Sequence, residues 1–518
     1  MVHRSRRGRT LPAVAVVLSL AGLLGLGGLL LTPAQRDGQR GPQAEVAAVA
    51  PPIVLFCAAS NRSVIEAILA DYRAETGREV VVQYGPSQTL LASLSIRGTA
   101  DLFLPADASY LEMAAEQGLI ESRFPLAEMR AVVAVPRGNP LGLATLEDLV
   151  AGDLRLAMAN PDATAIGMVT KRAFEASGEW EPMAEAVDVF MTTVNEVANA
   201  VKLNAADAGI VYDAVLHDYP DLEAVAFEAL QGIRSEVGLG VASGTTQPHA
   251  AYHLARYIAA ADRGLVQYQE HGFAPLDGDA WSDQPELTLY AGSMLRPAIE
   301  ETLVAFEARE GVTVTRVYNG CGILVAQMEA GRVPDAYFAC DVEFMNQVAA
   351  RFSDADEISQ NELVILVPKG NPADISSLSD LSQPGLRVGI GHEKQCAMGW
   401  LTQRTLSEGG VQEQVMENVV VQTPTGDMLV NQMRSGSLDA AVVYLSNAVG
   451  SGDVLDAIRI TDLPCSIASQ PYGVATESPV RRLAERLGEQ FRSQASREIF
   501  EAEGFRWVAA DGSLPLAE

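Results

Sequence analysis

The chain reads as an α/β protein in which one two-lobed unit is used twice, and three features predict this. Short apolar runs alternate with segments whose apolar residues fall on one helical face, the pattern of a parallel sheet covered by helices. Residues of unlike type recur at a fixed long spacing, the mark of a duplicated domain. A continuous apolar strand in the first unit, Ala131-Val132-Val133-Ala134-Val135, is cut by Pro136, where the chain is expected to cross into a second lobe and leave a hinge and a central cleft.

The elements follow in order. Arg4, Arg6, Arg7 and Arg9 precede an apolar or small run over residues 11–31, and residues 32–42 are polar with Pro and Gly. A positive flank before an apolar core is an export signal, either cleaved or retained as a single membrane anchor with its basic end cytoplasmic. Both readings leave the bulk of the chain outside the cytoplasmic membrane. Residues 1–50 are therefore leader and linker, 51–280 the first domain and 285–511 the second, with a polar joint over 277–286.

Ile53-Val54-Leu55-Phe56 reads as a buried strand, and Val64, Ile65, Ile68, Leu69 and Tyr72 form one helical face that stops at Gly77. A second strand, over residues 79–84, leads to another helix start. Between strand and helix lie two serine turns, Phe56-Cys57-Ala58-Ala59-Ser60 and Tyr84-Gly85-Pro86-Ser87-Gln88-Thr89. Both fall at the carboxyl edge of a parallel sheet, where hydroxyls and helix-start N–H groups can point at one spot and hold an anion. Further along come a capped helix over 145–149 and a strand over 154–157. The turn Asn160-Pro161 to Ile166-Gly167 opens the helix 168–177. A strand over 188–191, a helix start at Thr192-Thr193-Val194, a strand ending on Tyr212 and a helical tail over 249–271 complete the unit.

The second unit repeats this, without a gap over its first stretch. Gly77 and Gly311, Ser87 and Cys321, Asp101 and Asp335, and Asp107 and Asp341 are each 234 positions apart. The spacing then becomes 232: Val135-Pro136-Arg137-Gly138-Asn139-Pro140 matches Val367-Pro368-Lys369-Gly370-Asn371-Pro372, and Tyr212 matches Tyr444.

The two serine turns and the turn Asn160-Pro161 to Ile166-Gly167, together with Ala100-Asp101-Leu102-Phe103-Leu104-Pro105-Ala106-Asp107 and Gly209-Ile210-Val211-Tyr212, resemble the periplasmic molybdate/tungstate-binding proteins of ABC importers. That family has the two-lobed type II periplasmic-binding fold, and the resemblance covers nearly all of both units. It implies a tetrahedral oxyanion held in the first copy by Ser60 and Ser87, by N–H groups near Ile166 and Val194, and by the hydroxyl of Tyr212. A dianion among neutral donors at helix starts needs no counter-charge, since each charge-assisted hydrogen bond contributes roughly 1.5 to 3 kcal/mol. The plainer readings stand beside these: Ser60 and Ser87 as N-caps, Tyr212 as a half-buried aromatic, Asp107 and Asp341 as caps or hinge residues.

The second copy changes the chemistry at the implied ligands. Met294 stands opposite Ser60 with Ser293 one position earlier, Cys321 opposite Ser87, Met398 opposite Ile166 and Gly426 opposite Val194, while Tyr444 is kept. Three readings remain open. Cys321 and Cys396 meet across the cleft as a metal-binding, thiol-reactive or disulfide pair; or the cysteines are buried filler in a degenerate site; or an oxyanion is still held through N–H groups and Ser293. His392 is read as an exposed loop residue.

Composition excludes much else. A net charge of −29 over 518 residues argues against nucleic acid and against a broad electropositive trap. No nucleophile motif, zinc motif or phosphate loop is present, and six histidines and five cysteines show no metal-ligand spacing, so no enzyme activity, cofactor or resident metal is expected. The reading is a monomeric extracytoplasmic solute-binding protein that delivers molybdate or a related oxyanion to an ABC permease. Its alternative is a ligand-sensing or thiol/metal-handling protein that uses the second copy.

Overall fold

The strand Ile53–Ala58 (β1) pairs in parallel with Val80–Gly85 (β2), as the crossover helix Arg62–Thr76 between them requires. That helix buries Val64, Ile65, Ile68 and Tyr72 and stops where Gly77 turns left-handed at φ 68°. Leu102–Leu104 (β3) pairs on the other side of β1, and the Asp101 carboxylate before it accepts the N–H of Val54 at 2.8 Å. These coordinates are a computed structural model that describes residues 51–150, 153–353 and 355–509. The expected leader at residues 1–50 and the tail at 512–518 lie outside the described residues. Among those described, no helix is long and apolar enough to cross a membrane.

The lobe crossing differs from the expectation at Pro136. A single strand, Ile120–Pro136 (β4), serves both lobes. Its first part pairs with Arg234–Ala242 (β9) as far as Arg130 against Arg234, and from Ala131 it pairs with Ala208–Tyr212 (β7), with Ala131 opposite Tyr212. The hinge is thus inside an apolar strand, and Tyr212 sits beside it. Leu156–Ala159 (β5), two residues later than expected, and Val187–Met191 (β6) complete the second lobe with Leu222–Val225 (β8) against β4. The expected helical tail is two helices, Pro248–Ile258 and Gly264–Glu270, followed by the short strand Ala274–Pro275 (β10).

The second half repeats the topology. Its strands are Glu286–Gly292 (β11), Thr313–Asn319 (β12), Ala336–Phe338 (β13), Asp356–Pro368 (β14), Val388–Gly391 (β15), Val419–Thr423 (β16), Ala440–Tyr444 (β17), Leu455–Arg459 (β18), Ile467–Val474 (β19) and Arg506–Trp507 (β20). The first sheet runs β2-β1-β3-β9-β4-β7-β5-β6 and the second β12-β11-β13-β19-β14-β17-β15-β16. Leu363 of β14 faces Tyr444 as Ala131 faces Tyr212. The predicted α/β class and the tandem pair of two-lobed units are both present.

The two halves join through buried charge. Glu310, at the end of the helix Arg296–Glu310, is fully buried and accepts the guanidinium of Arg486 at 2.8 Å, while that guanidinium lies 4.2 Å from the ring of Phe124 in the first half. Arg256 of the first half donates to the Glu310 carbonyl. The Asp279 carboxylate takes the N–H groups of Arg482 and Leu483 at 2.9 Å each, capping the helix Arg481–Phe491 from across the joint.

Candidate functional site

Four helix starts in the first half aim at one place. After β1 the chain makes the 3-10 turn Ala59–Asn61, and after β2 Pro86 precedes the helix Ser87–Arg97. From the second lobe, Thr164 begins the helix Ala165–Ser177 by accepting the N–H of Gly167 at 3.1 Å. Thr193 begins Val194–Lys202 in a reciprocal cap with Glu196. Gly167 permits this approach: a Cβ there would lie 2.6 Å from the Ala159 carbonyl. Together they enclose a hollow of about 20 Å³ whose lining includes Ser60, Ser87, Ile166, Val194 and Tyr212, all five residues expected in the first copy. Its size admits a ligand of a few atoms, far below the roughly 300 to 1,000 Å³ of organic-ligand pockets.

The hydrogen bonds set the polarity of that hollow. Ser87 Oγ accepts the N–H of Ala106 at 3.1 Å, and Ser60 Oγ accepts from Asn61 Nδ2 at 3.3 Å. Asn61 is itself held by the Tyr268 hydroxyl at 3.3 Å. Each serine oxygen already serves as an acceptor, which leaves its proton to donate. The N–H groups of Ile166 and Val194 lie in first helical turns and have no carbonyl four residues back within the helix. Tyr212 is buried with its hydroxyl 2.6 Å from Ser235 Oγ, and burial, reinforced by nearby Asp107, holds the phenol neutral well past its usual range. No lysine or arginine lines the hollow. Asp107 accepts the N–H of Ser109 at 3.0 Å, the capping role expected of it. The polar side chains of the lining are hydroxyls, and with the helix-start N–H groups they supply neutral donors suited to an anion.

The second half keeps the frame and changes the atoms. Cys321 opens the helix Cys321–Glu329, and its Sγ accepts the N–H of Cys340 at 3.1 Å, reproducing the Ser87–Ala106 bond. The Sγ of Cys340 is 2.9 Å from that of Cys321. The sulfur in direct contact with Cys321 is therefore Cys340, in the same lobe, with Cys396 near the pair from the other lobe. Cys340 stands 234 positions after Ala106, so the repeat register held the signal that it belongs to the site. Cys396 begins the helix Ala397–Glu408 from the other lobe, where the first half has Thr164, and Met398 beside it is buried. Burial works against a Cys321 thiolate, yet hydrogen bonds from the Cys340 thiol and N–H bring it below its ordinary pKa; that same contact, with burial, drives Cys340 upward. Burial also pushes Cys396 to about 12 and Asp341 to about 6.

The other expected residues of this copy are spread around the same cleft. Met294 is buried, with half-buried Ser293 before it in the turn Ser293–Leu295. Gly426 begins the helix Gly426–Arg434, and a Cβ there would lie 2.3 Å from Asn447 Oδ1. Tyr444 is buried and its hydroxyl has no partner, because Ser235 of the first half, opposite Met129, corresponds to Ala468, opposite Asn361, here. His392 is half-buried, its Nδ1 accepting the N–H of Lys394 at 3.2 Å. Across this cleft the backbones meet directly: a Cβ on Gly320 would lie 2.2 Å from the Gln395 carbonyl, and one on Gly322 1.9 Å from that of Lys394. A larger cavity, of about 430 Å³, lies at the joint between halves, but Arg123, Glu236, Arg482 and Glu489 give it both signs of charge, and the helix-start N–H groups of Arg482 and Leu483 in its lining are already taken by Asp279.

The chain matches the family model described as bacterial extracellular solute-binding protein over residues 53–274 and again over 287–506. A putative binding protein of Haemophilus influenzae is 27% identical over 225 residues, 42% of this chain and 90% of that protein. The molybdate-binding protein ModA of Escherichia coli is 28% identical over 176 residues, 32% of this chain and 66% of that protein. Among solved structures, the periplasmic molybdate-binding protein of Azotobacter vinelandii aligns at 17% identity and a TM-score of 0.39, covering 43% of this chain and 100% of that one. The sulfate-binding protein SubI of Mycobacterium tuberculosis aligns at 17% identity and a TM-score of 0.39, covering 44% of this chain and 88% of that one. With both halves matched in sequence and folded alike, the chain belongs to the bacterial extracellular solute-binding protein family, in tandem duplicate.

Proposed function

We propose that the first copy, residues 51–280, captures a tetrahedral oxyanion, molybdate foremost, and that the protein delivers it outside the cytoplasmic membrane to an ABC permease. The observation that carries this reading is the pair of serines: both oxygens already accept hydrogen bonds from the protein, so both protons are free to donate beside the N–H groups of Ile166 and Val194. Such donors stabilise an anion by roughly 1.5 to 3 kcal/mol each when the charge is desolvated. The size of the hollow supports a small inorganic ion over a sugar phosphate or amino acid, and relatives named for molybdate binding support the metal oxyanion. Molybdate, tungstate and sulfate carry the same charge, so choice among them falls to cavity size. Lobe closure about the hinge at Arg130 and Ala131 brings the two sets of donors onto the ion.

The test is titration calorimetry of the exported portion of the chain with molybdate, tungstate, sulfate and phosphate. Tight binding of molybdate to one site, with sulfate weaker by at least tenfold, is the expected result. No binding of any of the four refutes the oxyanion reading, and sulfate tighter than molybdate refutes the choice of ion.

A further inference from the structure

Ser87 and Ala106 of the first copy are 19 positions apart and meet through one hydrogen bond, from the Ala106 N–H to Ser87 Oγ at 3.1 Å. Both partners in that contact are cysteine in the second copy, 234 positions on: Cys321 opens the helix Cys321–Glu329, and Cys340 follows the strand Ala336–Phe338. Five cysteines among 518 residues rarely fall on two touching positions by chance. The hydrogen bond is kept, from the Cys340 N–H to Cys321 Sγ at 3.1 Å, and the side chain of Cys340 brings a second sulfur to 2.9 Å from the first.

The surroundings fit two sulfurs joined to each other. A sulfur–sulfur bond is about 2.05 Å long, so movement of about 0.9 Å makes it. Gly292 stands where the first copy has Ala58, and a Cβ there would lie 1.9 Å from Cys340 Sγ and 3.1 Å from Cys321 Sγ, so glycine is what admits the pair. Both cysteines are buried, and across the cleft the Gln395 carbonyl already presses on Gly320, which leaves the pair packed on every side described. Cys396 belongs to the opposite lobe, and a bond from it to either sulfur would staple the cleft instead of tying one lobe internally.

We infer that Cys321 and Cys340 form a disulfide as the chain folds in an oxidising compartment, a covalent tie where the first copy has the Ser87–Ala106 hydrogen bond. Such compartments lie outside the cytoplasm, so the inference rests on the export that the proposed function includes, and not on the oxyanion. The bond forms by exchange with a disulfide donor of that compartment. One cysteine thiolate attacks the donor's sulfur–sulfur bond, the second cysteine displaces the donor from the mixed disulfide, and the donor leaves as two thiols. Two electrons and two protons pass from the pair to the donor. Because both sulfurs are buried in the finished lobe, the exchange takes place during folding, and the bond is then shielded from reductants. The sulfur pair occupies the position from which the first copy presents the Ser87 hydroxyl, so the second copy has no hydroxyl donor there.

The experiment takes the exported portion of the chain, unfolds it in reductant, refolds it in mixed oxidised and reduced glutathione, alkylates it with iodoacetamide and digests it with trypsin without reduction. Peptides 317–332 and 333–351, which carry Cys321 and Cys340, should appear joined and two hydrogens lighter than their sum, with Cys57, Cys396 and Cys465 alkylated. The oxidised protein should unfold about 5 to 10 °C above the reduced one. The double variant Cys321→Ser with Cys340→Ala, which restores the first-copy pair, should unfold with the reduced wild type and ignore the glutathione ratio. Alkylation of both Cys321 and Cys340 in the refolded, oxidised wild type overturns the inference. A link from either to peptide 395–404, which carries Cys396, overturns it too. Peptide mapping of the wild type decides the question even where the variant folds poorly. Refolding in a glutathione buffer needs neither export nor a ligand, so failure here is separate from failure of the proposed function.

Discussion

Removing one hydroxyl, Ser87→Ala, separates two roles of the same oxygen, one seen in the structure and one proposed for it. As an acceptor, Ser87 Oγ satisfies the N–H of Ala106 at 3.1 Å in a buried setting. Losing it orphans that N–H in the free and the bound protein alike, a cost of about 1 to 3 kcal/mol in stability. For a domain of this size each kcal/mol lowers the unfolding temperature by about 2 to 4 °C. In the proposed complex the same oxygen gives its proton to the oxyanion, a contact absent from the free protein. Its loss removes roughly 1.5 to 3 kcal/mol of binding, a Kd raised about 10- to 150-fold. The two effects are read separately, by thermal unfolding of the ligand-free protein and by calorimetric titration with molybdate. A lowered unfolding temperature with unchanged affinity would refute the argument, because it would leave the serine as a packing and capping residue and nothing more.

Three further outcomes follow from contacts described above. Gly167→Ala places a methyl 2.6 Å from the Ala159 carbonyl, so the helix start must move; stability should drop by about 1 to 3 kcal/mol and molybdate binding should weaken, whereas Gly399→Ala at the same point of the second copy should destabilise but leave molybdate titrations unchanged. Arg486→Met strands the fully buried Glu310 carboxylate and should cost about 3 to 5 kcal/mol in denaturant unfolding, most of it regained in the double variant with Glu310→Leu; no recovery would refute the assignment of the loss to an unpaired charge. Burial pushes Asp341 up to about 6, above its unfolded value, so the folded state binds the proton more tightly. Its stabilising protonated form is complete near pH 4 and lost as pH rises through 6, a swing of about 3 kcal/mol. Asp341→Asn should flatten that slope in denaturant melts between pH 4 and 7, and a parallel pH dependence in both proteins would refute it.

Much of this was legible in the chain, and what was missed has local physical causes. The strand–serine–helix units are plain because apolar runs, helical faces and stop glycines agree there. The return strand β9 was invisible because Gly238 and Gly240 dilute its pattern; a Cβ at Gly238 would lie 2.8 Å from a methyl of Leu111, and one at Gly240 3.0 Å from a methyl of Ile120, so packing excludes the β-branched residues that announce a strand. The tail over 249–271 looks helical throughout, yet it breaks before Gly264, where a Cβ would lie 2.0 Å from the Ile258 carbonyl, a clash set by the turn and not by propensity. Of the five residues that line the first-copy hollow, Ser60 and Ser87 were marked by their helix starts and Ile166, Val194 and Tyr212 by the family resemblance. Cys340 was not, since alanine at the matching position of the first copy carries no chemical signal of its own.

The two copies also show which positions were free to change. Arg155 and Arg387 each donate backbone and side-chain hydrogen bonds to an aspartate, Asp207 and Asp439, with backbone distances of 2.9 Å in both. Asn139 and Asn371 both adopt left-handed conformations, at φ 43° and 49°, and both tie their side chains to a carbonyl four residues on. Asp101 and Asp335 each take the N–H at the start of the neighbouring strand at 2.8 Å. These contacts fix the lobes and are the same in both halves. Serine and threonine at the cleft, by contrast, became cysteine and methionine while the N–H-to-side-chain bond at Ser87 survived, atom for atom, as one to the sulfur of Cys321. The scaffold contacts are thus shared by the two halves, and the differences in side-chain chemistry gather at the cleft, where oxygen in one half stands as sulfur in the other.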